Sequence, residues 1–252
     1  MTAVGHVDVW YLRLDVHPDR ERTLAALLDA RELRRATRLR APDERRRLVA
    51  AHGLTRLLLA RRTGTDPRTL SWSLGVHGKP GPVGDPDRPV HWNLSHTGDR
   101  ALLAVSGEGP VGVDIQSVPP DTPVLALARR FLPPSEYACL AALGRDADRR
   151  TGYYRALCRR EAGVKAHGGR LLDALGPARP PDGGVCGVGG SLRDLPAPAG
   201  CVAALATVAG PARVRHRMRP PTSGPPSFAP PPSAPQPFAP PSFVPTASKG
   251  TA

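Results

Sequence analysis

The chain has 252 residues, 40% of them hydrophobic, and carries a formal net charge of +13. Its length suits one large or two small globular domains, and no apolar run is long enough to span a membrane, which excludes an integral membrane protein. Arg13, Asp15 and His17 interrupt the hydrophobic N-terminal stretch, so we expect no signal peptide and a cytoplasmic protein whose charge favours a polyanionic partner.

The N-terminal part predicts a strand followed by helices. Residues 7–14 alternate and are rich in strand-forming types, which predicts a first strand. Residues 20–39 and 42–62 show helical patterns, and Gly64 ends the second of these helices. Glycine and proline turns then separate short predicted strands at residues 70–74, 90–94, 101–106 and 111–115.

The C-terminal part returns to helices before its last strands. The predicted elements are helices at residues 124–130, 135–143 and 149–167, and strands at residues 185–192 and 201–208. This order predicts an α+β protein built from two similar α/β halves, residues 1–110 and 111–215. Residues 216–252 are rich in proline, serine and alanine, which predicts an extended, disordered tail.

Four cysteines are scattered along the chain, at Cys139, Cys158, Cys186 and Cys201, without a C-x-x-C pair. A zinc site and a disulfide framework are therefore not expected. We predict reduced, buried thiols, since free cysteine usually behaves as a small core residue in cytosolic proteins.

Asp114 and Glu161 are the first candidates for chemistry. Asp114 lies within an apolar run, residues 111–115, where an unpaired charge would be costly to bury, so we expect a positive partner. Two carboxylates, one on a strand and one on a helix, would suit Mg²⁺, although surface charges are the simpler interpretation. Lys165 lies four residues after Glu161, and this spacing alone also describes an ordinary exposed helix pair.

The segment Ser95-His96-Thr97-Gly98 follows a predicted strand and could present hydrogen-bond donors to an anion. A serine hydrolase is disfavoured because no acid that would orient His96 is identifiable and the G-x-S-x-G elbow is missing. Arg47 and Lys79 are surface charges by default, and they gain meaning only if Ser95 and His96 face the same pocket.

Several motifs follow one another in a specific order: Gly78-Lys79-Pro80, Asn93 to Thr97, Gly112 to Gln116, Arg130-Phe131-Leu132 with Glu136, and Leu157 to Lys165. Together they resemble the signature of the 4'-phosphopantetheinyl transferases, magnesium enzymes that load the arm of coenzyme A onto carrier proteins. The resemblance covers residues 7–210 and is to the larger, monomeric type, typified by the activator of surfactin synthetase. It implies two halves related by pseudo-two-fold symmetry, and a monomer.

The resemblance also implies a role for each site residue. Coenzyme A would be held by Arg47, Lys79, Ser95, His96 and Lys165, with Arg47 and His96 near its 3'-phosphate, and Mg²⁺ by Asp114, Gln116 and Glu161. Glu161 would deprotonate a serine of an acyl or peptidyl carrier protein, directly or through water. The serine oxygen would attack the β-phosphate, adenosine 3',5'-bisphosphate would leave, and Lys165 would stabilise the negative charge. Such a protein would serve polyketide, nonribosomal peptide or fatty-acid carriers.

Three positions depart from the family pattern. Gln116 replaces a carboxylate at the third metal position, Leu157 replaces tryptophan, and Arg160 replaces lysine. Gly163 adds a helix-destabilising residue that costs about 1 kcal/mol relative to alanine. These changes leave open a catalytically weakened homologue that binds coenzyme A without turnover.

A basic nucleic-acid-binding protein is the alternative from a different class. The net charge and the basic clusters at residues 45–47 and 213–219 would support phosphate contacts. No zinc-finger spacing or aromatic-basic repeat accompanies them, so we expect a coenzyme A enzyme rather than a nucleic-acid partner.

Overall fold

The computed structural model describes residues 5–170 and 190–218, together with Leu172 and Leu175. The strands are β1 His6–Arg13, β2 His91–Thr97, β3 Arg100–Ser106, β4 Val111–Ser117, β5 Ser191–Leu195, β6 Cys201–Thr207 and β7 Arg213–Arg217. The helices are α1 Pro18–Ala25, α2 Ala30–Thr37, α3 Pro42–Thr63, α4 Val124–Phe131, α5 Pro134–Ala141 and α6 Asp146–His167. The predicted mixture of helices and strands is confirmed, whereas the pseudo-two-fold relation stays a prediction. None of the described helices is long and apolar enough to cross a membrane.

The strands form two sheets of unequal size. One has four strands in the order β2-β3-β1-β7, and the other has three in the order β4-β6-β5. Neighbouring strands are antiparallel except β1 and β7, which are parallel. Because β7 comes from the end of the described chain and pairs with the first strand, the four-stranded sheet joins both ends of the fold.

A long helix packs on each sheet. α3 and α6 both have 22 residues, and each ends at a glycine in the left-handed conformation, Gly64 and Gly168. Their first turns are acidic and their last turns basic, which complements the helix dipole. The leucine-rich side of α3 buries against β1 and β3 in the main hydrophobic core, while α6 packs on β4 and β6 through small side chains such as Ala162 and Ala166.

Gly112 permits a very close approach between β4 and α6. A Cβ atom at this position would lie 2.0 Å from the Ala162 carbonyl oxygen and 2.3 Å from the Ala166 backbone nitrogen. Both atoms belong to the helix backbone, so no side-chain movement could relieve the clash. The glycine therefore sets how near α6 lies to the strand that carries Asp114.

Side chains of β2 connect the two sheets. The Val113 N–H donates to Asn93 Oδ1 at 2.9 Å, and the Ile115 N–H donates to Ser95 Oγ at 3.4 Å. Thr97 continues the series, since its Oγ1 accepts from the next alternate backbone N–H of β4 at 3.3 Å. Alternate residues of β2 thus satisfy backbone donors of β4, and the sheets meet along these two strands.

Some sequence predictions of secondary structure were wrong. The helix predicted at residues 20–39 is divided into α1 and α2, because Asp29 caps α2 in a reciprocal capping box with Glu32. The strand predicted at residues 70–74 is not formed: only Leu74 makes an isolated bridge, to Pro80. Most of the other predicted elements are confirmed with shifts of a few residues. They are the helices α3, α4, α5 and α6 and the strands β1, β2, β3, β4 and β6.

The C-terminal predictions fall partly outside the described residues. The strand predicted at residues 185–192 lies mostly there, and β5 begins at its end. β7 was not predicted, and it includes residues 216 and 217, which the sequence assigned to the tail. The division into residues 1–110, 111–215 and 216–252 stays a prediction. β7 crosses the predicted boundary between the second half and the tail.

The described cysteines are free thiols, but they are not all buried. Cys158 is buried, Cys201 is half-buried and Cys139 is exposed, so predicted burial is wrong for Cys139. Cys186 lies outside the described residues.

Candidate active site

Four of the predicted site residues meet where β4 faces α6. The Asp114 side chain is 2% exposed, and its Oδ1 accepts a hydrogen bond from Lys165 Nζ at 2.6 Å. Lys165 Nζ also lies 3.2 Å from Glu161 Oε1, one turn earlier on α6. Gln116 Nε2 donates to Asp114 Oδ2 at 2.9 Å and to Glu161 Oε2 at 3.0 Å. The two carboxylates are thus joined twice, by an ammonium group and by an amide.

Lys165 is the expected positive partner of the buried Asp114. Burial tends to lower the pKa of Lys165, but the carboxylates of Asp114 and Glu161 outweigh burial and raise this pKa above its ordinary value. Lys165 is therefore charged at neutral pH. With both carboxylates ionised, the cluster retains one uncompensated negative charge, which favours a cation.

The donor chemistry of this cluster fits Mg²⁺. Mg²⁺ prefers oxygen ligands and keeps several waters, so a site with few protein carboxylates is typical. Among the described residues, no group of three or more His, Cys, Asp or Glu is placed to hold a metal ion. A site for such an ion would have two anionic ligands, Asp114 and Glu161, with the Gln116 amide beside them.

Ser95 is buried at the junction of the sheets. Its Oγ donates to Asp114 Oδ1 at 2.7 Å and accepts from Lys165 Nζ at 3.0 Å. These bonds orient the carboxylate, so Ser95 contacts the charged cluster as well as the β4 backbone. Its predicted contact with coenzyme A stays a prediction.

Two adjoining cavities open at the cluster. The smaller has a volume of about 320 Å³ and is lined by both carboxylates. The larger has a volume of about 560 Å³ and extends along α2, β2 and the end of α6. Leu94, His96 and Lys165 line both cavities, so these residues lie at the boundary between the charged cluster and the larger space.

A row of arginines on α2 and at its C-terminal cap forms one wall of the larger cavity. These residues are Arg31, Arg34, Arg35 and Arg38. Their spacing of three and four residues places them on one helix face. Sequence reasoning missed them as site residues, although the spacing was a usable signal. Guanidinium groups in such a row suit a ligand that carries phosphates.

A buried ion network fixes α2 against α3. Arg56 of α3 has a side chain with 0% exposure, and it donates to Glu32 Oε2 at 2.6 Å and to Asp29 Oδ2 at 2.7 Å. Its guanidinium carbon also lies 4.7 Å from the ring centre of Trp72, which lines the larger cavity. Burial tends to raise the pKa of Glu32, but the hydrogen bonds from His52 and the Asp29 N–H, with the charges of His52 and Arg56, lower it overall. The network holds the arginine row in position.

The remaining predicted residues differ in placement. Lys79 and His96 line the larger cavity, whereas Ser95 lines the smaller one and Arg47 is not among the residues that line either. Their contacts with coenzyme A stay a prediction. Burial lowers the pKa of Lys79 to about 8, and its Nζ donates to the Ala166 carbonyl at the end of α6. Partial burial and the positive charges of Arg35, His52 and Lys165 lower the pKa of His96, so His96 is neutral above pH 7.

Comparison with known proteins places the chain in a family. The sequence profile of the 4'-phosphopantetheinyl transferase superfamily matches residues 110–182, a range that includes β4 and α6. The 4'-phosphopantetheinyl transferase HetI of Nostoc sp. is 34% identical over 164 residues, covering 64% of this chain and 68% of HetI. The chain belongs to the 4'-phosphopantetheinyl transferase superfamily. The resemblance inferred from the motifs is thereby confirmed.

Other members of the superfamily match over similar stretches. The 4'-phosphopantetheinyl transferase AcpT of Salmonella typhimurium is 34% identical over 142 residues, covering 56% of this chain and 70% of AcpT. A Synechocystis sp. homologue is 33% identical over 156 residues, covering 62% of this chain and 63% of its own length. The chain thus matches about two thirds of the length of these relatives.

The structure gives a reason for arginine at position 160, where the superfamily motif has lysine. The Arg160 side chain has 0% exposure and donates to both carboxylate oxygens of Glu136 on α5, at 2.7 and 3.1 Å. Such a two-point contact uses the forked shape of guanidinium, which lysine lacks. Leu157, in place of tryptophan, packs at the edge of the cluster between α4, α5 and α6. The two residues support the helix that carries Glu161.

Proposed function

We propose that this protein is a Mg²⁺-dependent holo-carrier-protein synthase. It transfers the 4'-phosphopantetheine arm of coenzyme A to a serine of an acyl or peptidyl carrier protein and releases adenosine 3',5'-bisphosphate. The observation that carries the proposal is the convergence of Asp114, Glu161 and Lys165 beside a cavity walled by arginines. The names of HetI and AcpT, both 4'-phosphopantetheinyl transferases, support the same reaction.

The larger cavity suits coenzyme A as the donor substrate. Its volume of about 560 Å³ lies within the ordinary range for small-molecule sites. The arginines of α2, with Lys79 and Lys165, supply positive charge for the phosphates of the ribose and the diphosphate. The phosphates that react would lie at the Lys165 end, because Lys165 lines both cavities.

In the proposed reaction, Glu161 accepts the proton of the carrier serine hydroxyl. The serine oxygen forms a bond to the β-phosphorus, the bond from that phosphorus to the bridging oxygen breaks, and adenosine 3',5'-bisphosphate leaves. Lys165 donates hydrogen bonds to the phosphate oxygens that gain negative charge, and Ser95 keeps Asp114 oriented. When bound by Asp114, Glu161 and the Gln116 amide, Mg²⁺ would neutralise charge on the diphosphate. Catalysis by these residues is mainly positioning and electrostatic stabilisation.

A loading assay tests this proposal directly. The protein is incubated with coenzyme A, Mg²⁺ and a panel of apo carrier domains, and mass spectrometry detects the added arm. We expect loading by the wild-type protein, loss of loading for Glu161→Gln, and normal loading for Glu44→Gln, which changes an exposed glutamate of α3. Absence of loading across the whole panel would contradict the proposal, and calorimetric titration with coenzyme A would then show whether the protein only binds it.

A further inference from the structure

Gln116 stands where the superfamily motif has a carboxylate, and its contacts are those of a hydrogen-bond donor. Its single amide nitrogen lies 2.9 Å from Asp114 Oδ2 and 3.0 Å from Glu161 Oε2. Each of the two amide protons can therefore serve one carboxylate. The acceptor atoms belong to different elements, β4 and α6, so the amide spans the contact between the strand and the helix.

The neighbours of Gln116 fix the orientation of its amide group. An amide oxygen in the place of Nε2 would face two carboxylate oxygens and be repelled by both, whereas the NH₂ group bonds to both. Lys165 contacts the opposite oxygens, Asp114 Oδ1 and Glu161 Oε1, so the lysine and the Gln116 amide bond to different oxygens of the two carboxylates. Without Gln116, Asp114 Oδ2 and Glu161 Oε2 would lose the donor that they share.

A cation bound between the carboxylates would compete with this arrangement. The lone pairs of Asp114 Oδ2 and Glu161 Oε2 that accept the amide protons are among those that a metal ion would use. For Gln116 to offer its own oxygen as a ligand, the amide would have to rotate, which breaks both hydrogen bonds. A carboxylate at this position has no proton to donate and would add a charge that the cation attracts.

We propose that Gln116 is an amide strap that holds Asp114 and Glu161 together while the site is free of metal and releases them when the divalent cation binds. The strap replaces repulsion between two carboxylates with two hydrogen bonds to charged acceptors, which are stronger than bonds between neutral groups. It preorganises the site before the cation arrives and weakens cation affinity relative to a carboxylate at the same position. The release step rests on the proposed function, whereas the strap itself does not.

The sequence offers a direct spectroscopic test, because the chain contains only two glutamines, Gln116 and Gln236. Selective ¹⁵N labelling of glutamine side chains gives two amide groups, and the Gln116→Leu variant identifies which signals belong to Gln116. In EDTA we expect the Gln116 amide protons to be shifted from those of a free amide and protected from exchange with water. Addition of Mg²⁺ should remove the protection. Free-amide shifts and fast exchange in EDTA would overturn the proposal.

Thermal unfolding in EDTA gives an independent measurement. Gln116→Leu removes both hydrogen bonds at similar side-chain size, and Gln116→Glu adds a third carboxylate, so both should lower the melting temperature by about 3–8 °C. On addition of Mg²⁺, Gln116→Glu should gain more melting temperature than the wild-type protein. A wild-type melting temperature in EDTA equal to that of Gln116→Leu would contradict the strap.

The outcomes also separate this proposal from the proposed function. A protein that loads carriers but shows an unprotected Gln116 amide in EDTA lacks the strap and keeps the function. If the Gln116 amide is protected in EDTA, stays protected in Mg²⁺, and the protein loads no carrier, the strap is present. The release step and the proposed function are then both refuted.

Discussion

Substitution of Gly112 by alanine tests whether the close contact between β4 and α6 positions the reactive groups. The new methyl group would lie 2.0 Å from the Ala162 carbonyl oxygen and 2.3 Å from the Ala166 nitrogen. The helix must move away by about 1.4 Å before the shorter distance reaches an ordinary contact of about 3.4 Å. Since Lys165 Nζ is only 2.6 Å from Asp114 Oδ1, such a displacement separates groups that act together.

The expected loss for Gly112→Ala has two parts. Overpacking costs about 1–3 kcal/mol, which corresponds to a fall of about 3–10 °C in the melting temperature of a chain this size. A displacement of more than about 1 Å at the reacting groups lowers kcat/KM for carrier loading by at least about 10²-fold. Circular dichroism on heating measures the first effect, and the mass-spectrometric loading assay, performed below the measured melting transition of the variant, measures the second.

Gly144→Ala is the matched control for this experiment. No atom lies within 4 Å of a Cβ built at Gly144, and its backbone is not in the left-handed region. We expect its melting temperature and its kcat/KM to equal those of the wild-type protein. If Gly112→Ala also kept native stability and full loading, the backbone contact would not set the position of α6 and the reasoning would be refuted.

Three further predictions follow from other contacts. Arg160→Lys cannot keep both hydrogen bonds to Glu136, so unfolding in urea should show a loss of about 1–2 kcal/mol, while the exposed Arg170→Lys should be neutral. Because Lys79 is protonated below its pKa of about 8, kcat/KM for coenzyme A should fall as pH rises above 8. Lys79→Arg should remove this fall, since arginine stays charged. A pH profile of Lys79→Arg equal to that of the wild-type protein would count against a phosphate contact of Lys79. Truncation after Met218 should keep the melting temperature of the full chain. Truncation after Arg215 should lower it because this variant lacks the last two residues of β7. Equal melting temperatures for the two truncated proteins would contradict this.

Elements with strong local signals could be predicted from the sequence. The boundaries of α3 followed from acidic residues at its start and from Gly64 at its end, both of which act within one helical turn. The break before α2 was missed because Asp29 looks like any polar residue in a helical pattern until its capping bonds are seen. β7 was missed because its sequence is strongly basic, and its place in the sheet depends on pairing with β1, which is distant in the chain.

The candidate site was predicted in part for a related reason. Asp114, Glu161 and Lys165 lie in short motifs whose order along the chain carries the family signature, so their convergence could be inferred. The contacts of Gln116 could not, because they depend on how α6 packs on β4. The arginine row could be grouped from its spacing, but its place beside the cavity depends on the contacts of Arg56 with Glu32 and Asp29.

The contiguous motif of residues 93–97 reflects two tasks performed by one strand. Asn93, Ser95 and Thr97 bond to backbone N–H groups of β4, so they join the sheets and place Asp114 beside the junction. Leu94 and His96 alternate with them and line the larger cavity, which Asn93 also lines. Because side chains of a strand point alternately to opposite sides, the same seven-residue strand can close the junction and form a cavity wall. The site therefore depends on the register of β2 against β4: a shift by one residue would move Asn93, Ser95 and Thr97 away from the β4 backbone N–H groups to which they bond.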